Sequence, residues 1–318
     1  MAISLCSTLV VLALVQDTAA LPAPPPSPPP PPPADSIDAR AQLALARAYL
    51  ARYAASHPRA AAPDSVWLHR VLDTAEQALT RAAAALGAPG TSPTGDTARV
   101  LRVRVWSERA RLAWEAGGLH VGPDSWGPLP SDLRLSPVLE ELGENLLRAC
   151  PTRGVLLTAD DVDSYAAWYM RFARGLRPDL LVVPLAVWRD DAALRARAAR
   201  DLRLGPRGAA GGGGDGWLAA LLERLPVCAS MGLERPPDAR GAKWRAGPLV
   251  WVAGPRPAGD PVAPRDFVFA ALRLAVDGHD PWAQAAVALY ARAARATPAL
   301  CEALATFGVT RDVAACRR

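Results

Sequence analysis

The spacing of the apolar residues changes at Gly154, and that change limits the folds open to this chain. Up to Ala149, and again after residue 265, apolar residues recur at three and four, the spacing of amphipathic helices. Gly154-Val-Leu-Leu-Thr158 is instead a continuous apolar run too short for a helix, and Leu180 to Val187 is another. The segment between them, Ser164 to Arg174, has helical spacing. Strand, helix and strand in that order predict a parallel pair with a right-handed crossover. Further helices are expected from Asp190 to Leu204 and from Gly216 to Leu225, and further strands from Val227 to Met231 and from Leu249 to Ala253. The expected fold is therefore α/β plus α: a small parallel four-stranded sheet flanked by helical hairpins.

The leading helices are expected over residues 36–117. The first runs from Ile37 to Ala54 with Leu45, Tyr49 and Tyr53 on one stripe. The second starts after Asp64 or Ser65, stacks Leu68, Leu72, Ala75 and Leu79, and stops at Gly87. The third runs from Thr97 to Ala116 and carries Leu101, Val105, Leu112 and Trp114. Their spacing and small alanines resemble degenerate tetratricopeptide hairpins, with an ordinary alanine-rich bundle as the alternative. Residues 118–143 form a linker, broken by Gly and Pro around Trp126, together with the start of a short helix, Pro137 to Ala149. The α/β domain is expected over 144–258 and a C-terminal helical region over 259–318. Asp280-Pro281 and Thr297-Pro298 each place a cap before a proline at the first helical position.

The amino terminus gives an address. Ile3 to Val15 is apolar, with the length of a signal-peptide core, and Thr18-Ala19-Ala20 supplies small residues for cleavage after Ala20. Residues 1–20 are thus expected to be a signal peptide, although Met1-Ala2 carries no positive charge; an uncleaved anchor or a misassigned start is the alternative. Residues 21–35 are a linker in which Pro22 to Pro33 is almost entirely proline, a stiff polyproline II spacer of roughly 35 Å. After residue 20 no apolar stretch has the ~20 residues of a membrane span. The expected location is the periplasm or the outside of a bacterial envelope.

Export permits disulfides, and Cys150, Cys228, Cys301 and Cys316 are the cysteines that would remain. A helical hairpin around Gly308 would bring Cys301 and Cys316 together. Cys150 precedes the first strand and Cys228 begins the third, so neighbouring strand starts would pair them. Their spacing matches no zinc pattern. The formal charge of +5 does not imply nucleic-acid binding, because the arginines are interleaved with Asp and Glu rather than clustered. The glycine-rich stretch Gly205 to Gly216 lacks the Gly-Lys-Ser/Thr ending of a phosphate loop. His57, His69, His120 and His279 have no neighbouring acid or nucleophile pattern, and no catalytic residue, metal or cofactor is expected.

Chemistry is concentrated in one loop. Asp160, Asp161 and Asp163 follow a strand and precede a helix, at the carboxyl edge of a parallel sheet where ligands bind. The helix N-terminus favours carboxylates there. Asp161-Val-Asp163 has the spacing of metal-dependent sugar transferases, but nucleotide sugars are not expected outside the cytoplasm. The expected role is a capped turn: Asp163 or Ser164 caps the helix, Asp161 accepts loop amides, and Arg177 or Arg171 pairs with an aspartate. The alternative is a cation or sugar-hydroxyl site formed by Asp160, Asp161, Asp163, Ser164, Tyr165 and Arg177, with Trp168 and Tyr169 able to stack on a sugar ring.

Gly154-Val-Leu-Leu-Thr-Ala-Asp-Asp-Val-Asp-Ser-Tyr-Ala-Ala-Trp-Tyr169 with Gly175-Leu-Arg-Pro-Asp179 resembles the soluble segment of bacterial membrane proteins related to protein O-mannosyltransferases. In that family an apolar strand ends in T-N-G-D-N-D-T-(F/Y)-P-L-W-Y, followed by E-G-x-R-x-D. Thr158, Asp161, Asp163, Tyr165, Trp168, Tyr169, Gly175, Arg177 and Asp179 match without a gap, and Ser164 stands for the threonine. The departures are Ala159 for Asn, Asp160 for Gly and Val162 for the central Asn. The resemblance covers about an eighth of the chain and implies no activity, because the family's transferase chemistry is expected in its membrane part.

Two functions follow as expectations. The first is an exported envelope protein, non-enzymatic, whose helical surfaces bind a partner protein. The second is a glycan-related enzyme or a carbohydrate- or cation-binding factor that uses the Asp160 to Asp163 loop in surface glycosylation.

Overall fold

The computed structural model describes residues 34–57, 65–122, 125, 127–205, 216–255 and 262–317. The expected signal segment, nearly all of the proline-rich linker, Trp126 and the centre of the glycine-rich stretch lie outside the described residues.

Three long helices lead the fold: α1 (Ala34–Ser56), α2 (Ser65–Ala85) and α3 (Pro93–Gly117). Ser92 caps α3 by accepting from the Gly95 amide, Pro93 opens it, and the chain turns away at Gly118. Leu68, Leu72, Ala75 and Leu79 of α2 are buried, as their spacing requires. On α1 the buried stripe is Leu43, Ala46, Leu50 and Tyr53. The stripe expected through Leu45 is displaced, since Leu45 is 44% exposed and Tyr53 belongs to both patterns. In a helix this rich in alanine, two stripes satisfy the same spacing, and packing against α2 selects between them.

Helix α3 serves two cores. Ala98, Val105 and Leu112 pack against α1 and α2. Val100, Val103, Trp106, Ala110 and Trp114 pack against the α/β part. A helix apolar on both flanks has little left to expose, so it lies between layers.

Helix α4 (Pro137–Ala149) leads into β1 (Val155–Thr158). Next come α5 (Asp161–Trp168), extended by a π-helical turn over Tyr169–Ala173, and β2 (Leu181–Pro184). Helices α6 (Leu185–Asp190), α7 (Ala192–Asp201) and α8 (Gly216–Leu222) precede β3 (Val227–Ser230), β4 (Arg245–Ala246) and β5 (Val250–Ala253). The apolar run from Leu180 divides at Pro184. Its first part is a strand at the sheet edge, where a proline is tolerated, and its second part is helical. A short apolar run suits a strand or a buried helix equally, so periodicity could not separate them.

The sheet has five strands in the order β2-β1-β3-β5-β4 and is mixed. β2, β1 and β3 are parallel, with Val155 opposite both Leu181 and Val227. β5 runs antiparallel to β3, with Cys228 opposite Val252, and β4 runs antiparallel to β5. This corrects the expected four-stranded parallel sheet. A parallel neighbour needs a long crossover, usually a helix. Residues 231–249 contain none, so the chain returns beside β3 in the opposite direction.

The tail comprises α9 (Ala270–Asp277), α10 (Ala283–Ala296) and α11 (Leu300–Thr306). It is bonded to α4. Asn145 donates to the Val268 carbonyl at 2.7 Å, and Glu141 accepts from the amides of Ala271 and Leu272 at 2.7 and 2.9 Å. Burial raises the Glu141 carboxyl to about 6 despite those amides. On its other side α4 meets α5 closely enough that a Cβ at Gly143 would strike the Ala166 carbonyl. Cys150 and Cys228 lie at disulfide distance, Cα to Cα 5.8 Å, and so do Cys301 and Cys316 at 5.4 Å. Both are the expected pairs.

Candidate functional site

The aspartate loop is a capped turn with one side open. Asp160 is the N-cap of α5 and accepts from the Val162 amide at 2.9 Å. Asp163 closes the capping box from below, accepting from the amides of Ala159 at 2.9 Å and Asp160 at 2.9 Å. It is 1% exposed, and burial raises its carboxyl to about 6, against the pull of the Ser230 hydroxyl and the loop amides. Gly232 roofs it, since a Cβ there would lie 2.8 Å from the Asp163 carboxylate. Ser164 shares a 2.6 Å hydrogen bond with Thr158. The roles thus differ from those expected: Asp160 caps, and Asp163 rather than Asp161 accepts the loop amides.

Asp161 faces a cleft of about 190 Å³ between α5, α3 and the segment after β2. Its walls include Asp160, Ser164, Tyr165 and Trp168 from the loop and α5, and Arg104, Ser107, Glu108, Arg111 and Trp114 from α3. Val182 to Pro184 of β2 form part of the floor. The cleft therefore lies at the carboxyl ends of the parallel strands, where α/β sheets bind ligands. Tyr165 is 7% exposed; burial raises its phenol, the nearby Arg104 charge pulls it down, and the Asp161 carboxylate pushes it up further. Trp168 is 2% exposed and its ring lies 5.1 Å from that of Phe172.

Two predicted site residues do not line the cleft. Asp163 is sealed beneath it. Arg177 sits at the other end of the strands, where its guanidinium donates to the carbonyls of Leu147, Cys150 and Pro151 at 2.7, 3.0 and 3.1 Å. It also holds Asp179 at 2.9 Å, which keeps that carboxyl down at about 2. Its backbone stands at φ 51°, a left-handed conformation that this bonding maintains. Arg171 likewise donates to backbone, the carbonyls of Leu180 and Pro178, not to an aspartate. Tyr169 is buried in the core and donates to the Leu133 carbonyl at 3.1 Å.

Sequence reasoning missed the α3 wall. Arg104, Ser107, Glu108 and Arg111 recur at three and four, a polar stripe along one side of α3. That stripe was the available signal. It continues into a second cluster behind the cleft, where His57, Glu115 and Asp191 bring ligand-type atoms within 4.8 Å of one another. His57 meets Glu115 at 3.0 Å, although the two lie far apart in the chain and no acid neighbours His57 in sequence. Burial raises the Glu115 carboxyl. Burial also pushes Asp191 up, but its bond with Glu115 and the Arg111 charge outweigh that and hold it low. Arg111 donates to Asp191 at 2.7 Å and to Glu115 at 3.2 Å, so a guanidinium occupies the place a cation would take.

Comparison with family models, curated proteins and solved structures yields no match to this chain.

Proposed function

We propose that this chain is an exported, non-enzymatic binding protein of the bacterial envelope, and that the cleft at Asp161 is its ligand site, taking a small hydroxyl-bearing ligand of the saccharide class. The cleft itself carries this reading. Aromatic rings, carboxylates and arginines converge on it, the mixture that suits the apolar face and the hydroxyls of a sugar. Its volume is below the roughly 300 Å³ at which drug-sized sites begin. Two disulfide-distance pairs are compatible with an extracellular location. A partner-binding role for the helical lead belongs to the same proposal, supported by Leu45 and Val66, which are exposed by 44% and 59%.

Thermal-shift titration with monosaccharides, on wild type and Asp161→Asn, tests the ligand site. A saccharide that binds should raise the melting temperature by several degrees, since ligand at a hundredfold its Kd stabilises by about 2.7 kcal/mol. Asp161→Asn should remove that rise. Absence of any shift across the panel would sink the reading.

A further inference from the structure

Two residues that line the cleft, Arg104 and Trp168, each carry a buried hydrogen-bond donor without a partner among the described residues: Arg104 Nε and Trp168 Nε1. A buried donor left unpaired costs free energy, so a site with two of them is incomplete until an acceptor arrives. Trp168 is nearly fully buried, which rules out bulk water as the routine partner of its indole N–H. Arg104 makes no ion pair among the described residues. Its neighbour Arg111 is engaged by Glu108, Glu115 and Asp191. The α3 wall thus presents Arg104 without an ion-pair partner among the described residues, in a cleft that also carries Asp160 and Asp161.

Resting on the saccharide reading above, we infer that the natural ligand is an acidic sugar, a monosaccharide unit bearing a carboxylate. The carboxylate pairs with the Arg104 guanidinium, whose planar fork matches it. The Trp168 indole donates to a ring or hydroxyl oxygen, and Asp161 accepts from hydroxyls on the opposite side. Glu108, Asp160 and Asp161 limit how much negative charge the cleft admits, which favours a single carboxylate over a dianionic phosphate.

Isothermal titration with glucuronate, galacturonate, their neutral parent sugars and glucose 6-phosphate tests the assignment. A uronate should bind wild type about ten- to a hundredfold more tightly than its neutral parent, the range expected of one charge-assisted pair. Arg104→Gln should erase that preference and Arg104→Lys should keep part of it. Because Arg104 makes no ion pair among the described residues, Arg104→Gln should leave the melting temperature of unliganded protein unchanged or raised, which separates lost recognition from lost folding. Equal affinity for uronate and parent sugar, or tighter binding of the sugar phosphate, would overturn the inference while leaving the saccharide reading intact. Failure of all five sugars to bind would overturn that reading as well.

Discussion

Arg111 donates to Asp191 at 2.7 Å, and this bond joins the last turns of α3 to the cap of α7, eighty residues further along the chain. Asp191 is committed twice, since its other oxygen accepts from the Leu194 amide at the start of α7. Glu115 and His57, the residue just after α1, complete the group, so an imidazole, a guanidinium and two carboxylates tie the end of α1 to α3 and α7 in a nearly dry setting.

Removing one partner of such a buried pair leaves uncompensated charge. Arg111→Met should therefore destabilise the protein by about 3 kcal/mol, read as a lower urea midpoint with an unchanged slope. The same guanidinium should keep a metal out. Zn²⁺ should leave the melting temperature of wild type unchanged but raise that of Arg111→Ala, where His57, Glu115 and Asp191 are freed as ligands. Equal zinc response in both proteins would contradict this account of Arg111.

Asp163 gives the fold a pH dependence whose sign is set by burial. An unfolded chain releases this proton near the ordinary 3.8, and the folded protein holds it to about 6. Between those values the native state binds more protons, so stability from this group falls as pH rises and levels off above about 6. Asp163→Asn removes the effect. The stability of wild type relative to the variant should decrease by on the order of 2 kcal/mol from pH 4 to pH 7. Carbon NMR should place the Asp163 midpoint near 6, and a midpoint near 3.8 would refute the assignment.

Arg177 is a structural residue in this fold. Arg177→Met strips hydrogen bonds from the carbonyls of Leu147, Cys150 and Pro151 at the end of α4 and should cost about 2–4 kcal/mol. It should leave affinity at the cleft unaltered, because Arg177 does not line it. Loss of ligand affinity in a folded Arg177→Met protein would return this residue to the site.

The disulfides contribute through the unfolded chain. The sequence separation of 15 between Cys301 and Cys316 corresponds to about 3 kcal/mol in the chain-entropy model, and that of 78 between Cys150 and Cys228 to about 4–5 kcal/mol. The double variants to alanine should lose stability in that order. Peptide mapping without reductant should recover both cross-linked pairs, and four free thiols would rule the pairing out.

Local chemistry was legible in the sequence because it acts over a few residues. Pro137 marks where α4 begins, and the apolar runs at Val155 and Val227 identify the strands, whereas α3 and α5 begin at Pro93 and Asp161, ahead of the Thr97 and Ser164 expected from spacing, because their caps act before the apolar pattern starts. The aspartate loop was recognisable for the same reason: carboxylates between a strand and a helix have amides within reach. Tertiary structure decided what depends on distant partners. The direction of β5 follows from the lack of a crossover helix between residues 231 and 249, and the strand ending at Pro184 depends on its place at the sheet edge. Which oxygen caps which amide, and that Arg177 serves α4 instead of an aspartate in the loop, rest on small differences in reach that spacing does not encode. The cleft needs α3 and α5 side by side, and Arg104 and Asp161 line it together only because α3 is held between two cores. Periodicity reports which face of a helix is buried. Which wall it then shares with another element is set by packing across the whole fold.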